Sequence, residues 1–214
     1  MEKFIYIMKG MARYILYLIL GNRRFRAFDS FPFNPNQPMP EWAPQIMAKC
    51  CEALEKNNIR YRLADGTILG LYRQGGFIVH DNDIDVDILD FQNIKLLQAS
   101  MKRLGMRLGR KAVYEKQVQQ LAYYSKENVI FDMIFWYSNG DKICNYSEKG
   151  YKRTQPKKYF IDLDNIKYGG RPYPMPSHIE EWLVFRYGED WQIPKTCKDD
   201  WKKECFDLNK IRGI

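Results

Sequence analysis

The chain has 214 residues, 45% hydrophobic and 28% charged, which suits one globular domain with a substantial core and leaves too little length for two. Its net charge of +8 favours anionic company in general, yet the Lys and Arg residues are spread along the chain and no nucleic-acid-binding motif occurs, so no nucleic-acid partner is expected. Five cysteines (Cys50, Cys51, Cys144, Cys197 and Cys205) are odd in number and form no C-x-x-C pair, which argues against a zinc site and a disulfide framework and predicts a cytoplasmic protein.

Residues 4–20 are strongly apolar, but Lys9 and Arg13 interrupt the run, which falls short of a bilayer crossing and has no signal-peptide cleavage site. The expectation over 1–28 is an N-terminal apolar helix that either packs on the core or lies in a membrane interface, where Arg23, Arg24 and Arg26 would meet anionic headgroups. Residues 29–44 hold five of the ten prolines and read as a connector. A catalytic domain is expected over 45–195, followed by a tail over 196–214.

Within that domain Ile46, Cys50, Ala53 and Leu54 recur at helical spacing, predicting a helix over 44–57. A short strand over 59–63, a turn into a short helix over 64–71 and a strand over 79–89 follow. Ile94, Leu97, Met101 and Leu104 mark another helix, and strands are predicted over 113–115, 119–124 and 129–136. Ser177 and Glu180 have capping-box spacing for a last helix that stops at Gly188. The order predicts an α/β (α+β) fold, a mixed sheet flanked by helices.

The informative stretch is 80–89. Alternation along a strand throws Asp81, Asp83, Asp85 and Asp87 to one side and Ile84, Val86 and Ile88 to the other. Carboxylates crowded on one face must hold protons or bind a cation, and Mg2+ or Mn2+ suits a few carboxylates shared with phosphate oxygens. A solvated acidic loop fits poorly with such regular interleaving. An EF-hand loop fails because Val86 stands where glycine is needed and Gln92 where glutamate is needed. Asp132 lies inside the apolar run 129–135, where it either completes a metal site or pairs with a structural Lys or Arg. Upstream, Gly66, Thr67 and Gly70 are candidates for a phosphate-binding turn at a helix start, with Arg73 as a fork-shaped phosphate ligand; glycines of this kind also serve as plain turns.

The stretch Gly66-Thr67-Ile68-Leu69-Gly70-Leu71-Tyr72-Arg73-Gln74-Gly75-Gly76-Phe77-Ile78-Val79-His80-Asp81-Asn82-Asp83-Ile84-Asp85-Val86 resembles the signature of the LicD family. A second block, Tyr173-Pro174-Met175-Pro176 with Glu181-Trp182-Leu183 and residues 186–194, is similar to that family's closing motif. The resemblance implies a nucleotidyltransferase-like fold, with Gly66 and Thr67 in the donor-phosphate turn, Asp83 and Asp85 as the acid pair and Asp132 as the third metal ligand. It also implies transfer of phosphocholine or a polyol phosphate such as ribitol phosphate from a CDP-linked donor to a glycan, as in lipopolysaccharide or teichoic acid biosynthesis. Val79-His80 and Asn82 depart from the family pattern, in which Pro-Trp commonly precedes an unbroken acidic run. His80 is either an acid/base group or structural, and Asp81 or Asp87 is expected to take the acceptor proton. The alternatives are a nucleotidyltransferase acting on nucleic acid or protein, and a catalytically inactive nucleotide- or carbohydrate-binding module.

Overall fold

The computed structural model describes Met8, residues 25–146 and residues 152–194. Most of the expected N-terminal helix and the tail over 196–214 lie outside the described residues. Among the described residues no helix is long and apolar enough to cross a membrane.

The helices follow their apolar spacing. Helix α1 (Ala43–Lys56) buries Ala43, Ile46, Met47, Cys50, Cys51 and Leu54 as one stripe at steps of three and four. Pro44 sits in its first turn, where a missing backbone donor costs nothing. Strand β2 (Tyr61–Leu63) leads into helix α2 (Asp65–Gln74), which ends on Gly75 in the left-handed region at φ 72°. In strand β3 (Asp83–Leu89), Ile84, Val86 and Ile88 are fully buried on one face while Asp83, Asp85 and Asp87 take the other. The Asn93 side chain caps helix α3 (Ile94–Arg103), accepting from the Leu96 N–H at 3.2 Å.

The remaining elements are β4 (Arg107–Tyr114), β5 (Gln117–Tyr124), β6 (Ile130–Asn139), β7 (Lys142–Tyr146), β8 (Lys152–Pro156), a 3-10 turn (Lys157–Phe160), β9 (Asp164–Tyr168), β10 (Arg171–Met175) and helix α4 (Ile179–Tyr187). With β1 (Phe25–Asp29), they form a mixed sheet of order β1-β4-β5-β6-β3-β2. Strands β3 and β6 run parallel and the other pairs in this row antiparallel. Strand β7 continues the sheet from the end of β6, β8 pairs with β7, and β9 and β10 make a separate hairpin. One face of the sheet carries the main core with the helices. On the other, Asp132 stands in β6 between Ile130 and Ile134, each of which belongs to its own small apolar cluster.

Several expectations change. Residues 25–29 form an edge strand paired with β4, where the sequence reading carried helix to residue 28. Strand β3 starts at Asp83, not Val79, because its partner β6 begins at Ile130, opposite Asp83. The chain before it turns instead, with the Asp81 N–H on the Ile78 carbonyl and Val79 84% exposed. Asp81 therefore precedes the strand, and only three aspartates share its polar face. The capping box does not form: His178, left-handed at φ 52°, is the N-cap of α4, while the Ser177 hydroxyl donates to the Lys158 carbonyl at 2.7 Å. The helix does stop at Gly188.

Candidate active site

Parallel pairing of β3 with β6 puts Asp85 directly beside Asp132. Alternation adds Asp83 to the same face, and one carboxylate oxygen from each of Asp83, Asp85 and Asp132 lies within 4.8 Å of the others. The surrounding protein aims these groups. Thr67, fully buried in the first turn of α2, accepts the Asp85 backbone N–H on Oγ1 at 2.8 Å, and the Asp85 carbonyl in turn accepts the Ala64 N–H at 3.0 Å. Gln120 on β5 donates to Asp132 Oδ2 at 2.6 Å, and Arg110 on β4 approaches the same oxygen at 3.7 Å.

Electrostatics make the cluster costly without a counter-charge. Burial, then repulsion from Asp81 and Asp132, pushes Asp83 well above the ordinary carboxylate range. Burial and Asp83 do the same to Asp85. Asp132 is also raised by burial, with Arg110 and Gln120 opposing. Its Oδ1 is buried and has no hydrogen-bond partner, a lone acceptor of the kind a cation satisfies. Three convergent carboxylates of a hard-oxygen type fit Mg2+ or Mn2+.

Asp81 lies against the start of α2, where a β-carbon on Gly66 would stand 2.3 Å from its Oδ2 and push the carboxylate out of this position. Burial and, among nearby charges, Asp65 push Asp81 up to about 6. Gly66 and Thr67 therefore do stand beside the carboxylates, at a helix N-terminus whose first N–H groups lack intrahelical partners. Gly70 does not: a β-carbon there would press at 2.6 Å on the Gly76 carbonyl, so it seats the following turn on the helix. Arg73 sits about 10 Å further along the helix axis than Gly66, donating to the Trp191 carbonyl at 3.3 Å. His80 is exposed in the turn before β3.

Asp87 is not available as a proton acceptor. Its Oδ2 takes Arg62 Nη2 at 2.7 Å and Nε at 3.1 Å, and its Oδ1 takes the Trp136 indole N–H at 2.6 Å, all buried. Arg62 extends this network to the Tyr159 carbonyl and Gln155, which also accepts from Trp182.

Sequence reasoning missed Arg110, Gln120, Asp65 and Arg186. Asp65, in the first turn of α2, accepts from Arg186 Nε on α4 at 2.7 Å and so ties the second family-like block to the helix start. An unpaired acid beside the Gly-Thr turn was the available signal for that pair. Arg110 and Gln120 had none, since their approach to Asp132 depends on the register of β4 and β5.

A family model for the LicD/FKTN/FKRP nucleotidyltransferase domain matches residues 58–178. The human ribitol-5-phosphate transferase FKTN is 27% identical over 167 residues, covering 75% of this chain and 35% of that protein. An uncharacterized protein of Rickettsia prowazekii (strain Madrid E) is 30% identical over 140 residues, covering 62% of this chain and 49% of its own length. The chain thus spans about a third of the human relative's length. The crystal structure of the lincosamide antibiotic adenylyltransferase LnuA with lincomycin bound superposes with a TM-score of 0.51 at 18% identity, covering 83% of this chain and 99% of that one. At that identity the likeness is one of fold, and the fold is that of a nucleotidyltransferase.

Proposed function

The chain belongs to the LicD/FKTN/FKRP nucleotidyltransferase family, and from that premise we propose that it is a metal-dependent transferase that moves phosphocholine or a polyol phosphate from a CDP-linked donor to a glycan hydroxyl. The observation that carries the reading is the convergence of Asp83, Asp85 and Asp132 within 4.8 Å, with Asp132 Oδ1 unpartnered. The human relative's name, a ribitol-5-phosphate transferase, supports the class of group moved.

Asp83, Asp85 and Asp132 would hold Mg2+ or Mn2+, which when bound supplies charge neutralisation for a diphosphate. The first-turn N–H groups of α2 around Gly66 and Thr67 take donor phosphate oxygens, as helix N-termini do. Thr67 holds Asp85 through its backbone and Gln120 holds Asp132, so the triad is kept aimed. Asp81, pushed up to about 6, is the base: as the acceptor oxygen bonds to the transferred phosphorus and the bond to the CMP oxygen breaks, its carboxylate takes the hydroxyl proton. A cytoplasmic enzyme, with its first residues either packed on the core or in contact with a membrane surface, completes the reading.

CMP release from CDP-choline, CDP-ribitol and CDP-glycerol, measured with acceptor glycan and with Mg2+ or EDTA, tests it. Magnesium-dependent CMP release from one donor is expected. Pyrophosphate release from CTP or ATP with no CMP from any donor would instead mark a nucleotidyl transfer and reject the proposal.

A further inference from the structure

The Pro-rich segment between β1 and α1 lies before the part of the chain that matches the family model, yet it crosses the acidic face and is fastened on both sides of the triad. On one side the Ser30 N–H donates to the Gly109 carbonyl at 2.7 Å. Phe31, fully buried, occupies the space that a side chain at residue 109 would need, and its ring packs edge-on to Tyr124 at 5.9 Å. The Arg110 guanidinium lies 5.5 Å from the centre of the Phe31 ring and 3.4 Å from Asp29, and the same side chain reaches Asp132. On the other side Asn82 Nδ2 donates to the Pro35 carbonyl at 2.6 Å, and the Met39 N–H donates to the Asp81 carbonyl at 3.0 Å.

We propose that residues 29–39 are a clasp belonging to the active site, and that Asn82 is a positioning residue whose hydrogen bond to Pro35 fixes the loop entering Asp83 and thereby sets the cation affinity of the triad. The two fastenings land next to ligands at opposite ends of the site: Arg110 bears on Asp132, and Asn82 directly precedes Asp83. The proposal accounts for the asparagine that interrupts the acidic run. A carbonyl needs a donor opposite it, and an ionised aspartate at this position has none to offer. It also places a neutral side chain where a further carboxylate would add to the repulsion already acting on Asp83.

The proposal rests on the metal reading given under Proposed function, and Mn2+ titration calorimetry on the full chain separates the two. Asn82→Ala is expected to weaken Mn2+ binding about tenfold, as loss of an outer support to a metal ligand does, and Asn82→Gln, which keeps the amide donor, to recover most of it. A purely structural role would lower the melting temperature of Asn82→Ala while leaving the Mn2+ affinity of the folded protein unchanged, and that result overturns the clasp. A Gln variant as weak as the Ala variant overturns the hydrogen bond as its cause. An unaltered protein that binds no Mn2+ rejects the metal reading itself.

Discussion

Asp83 and Asp85 sit where burial and neighbouring carboxylates, Asp81 and Asp132 around the first and Asp83 beside the second, oppose ionisation, so without a cation they subtract from stability. The sign follows from their raised folded-state values. Below the ordinary carboxylate range both folded and unfolded chains are protonated and nothing is lost, whereas above it the folded chain must keep a proton the unfolded one has released, so stability falls as pH rises. Asp83→Asn in EDTA at pH 8 should therefore melt higher than the unaltered protein, by roughly 2–4 °C for each kcal/mol relieved, while turnover is abolished. An unchanged or lower melting point would contradict the repulsion. These acids were legible because alternation is a local property of a strand, and Asp132 because a carboxylate in an apolar run demands a partner. Arg110 was not, since its place opposite Ala122 follows a register shift between Leu108 and Arg110 that no local pattern encodes.

Among the elements, β2 and β3 are joined by more than their ladder. Arg62, with no exposed surface, and Asp87 form an ion pair at 2.7 Å. Burial opposes the charge on both, and each partner offsets part of that opposition. Removing one partner leaves the other buried and uncompensated. Arg62→Met should cost about 3–5 kcal/mol, and adding Asp87→Leu should recover part of it, measured by urea unfolding of the single and double variants. Equal stability of Arg62→Met and the unaltered chain would mean that water reaches Asp87. Asp87 enters the sequence analysis as an alternative to Asp81 for the acceptor proton because alternation tells which side a residue faces, not how far along that side the reaction lies. Element boundaries failed for a related reason: β3 begins where its partner begins, and residues 81 and 82 bond to the Pro-rich segment instead. The stripe of α1 was legible at Ile46, Cys50 and Leu54, because a helix makes its hydrogen bonds within itself, while Ala53 is only half-buried and Met47 and Cys51 complete the buried face.

For the whole molecule, the mixed α/β architecture followed from the order of elements, but the role of the segment over 29–39 did not. Prolines signal the absence of regular structure and say nothing about whether the segment is packed; Phe31 is fully buried all the same. Among the described residues the one parallel pairing in the main row of strands, β3 with β6, carries a kinetic consequence. Parallel neighbours cannot be joined by a tight hairpin, so Asp85 meets Asp132 only after α3, β4 and β5 have been threaded between them. Convergence of the three carboxylates is therefore expected late in folding, too late for a bound ion to guide it. Magnesium should slow unfolding and leave the refolding rate nearly unchanged in stopped-flow traces, as an interaction absent from the transition state does. Faster refolding with magnesium would mean that the two strands meet early.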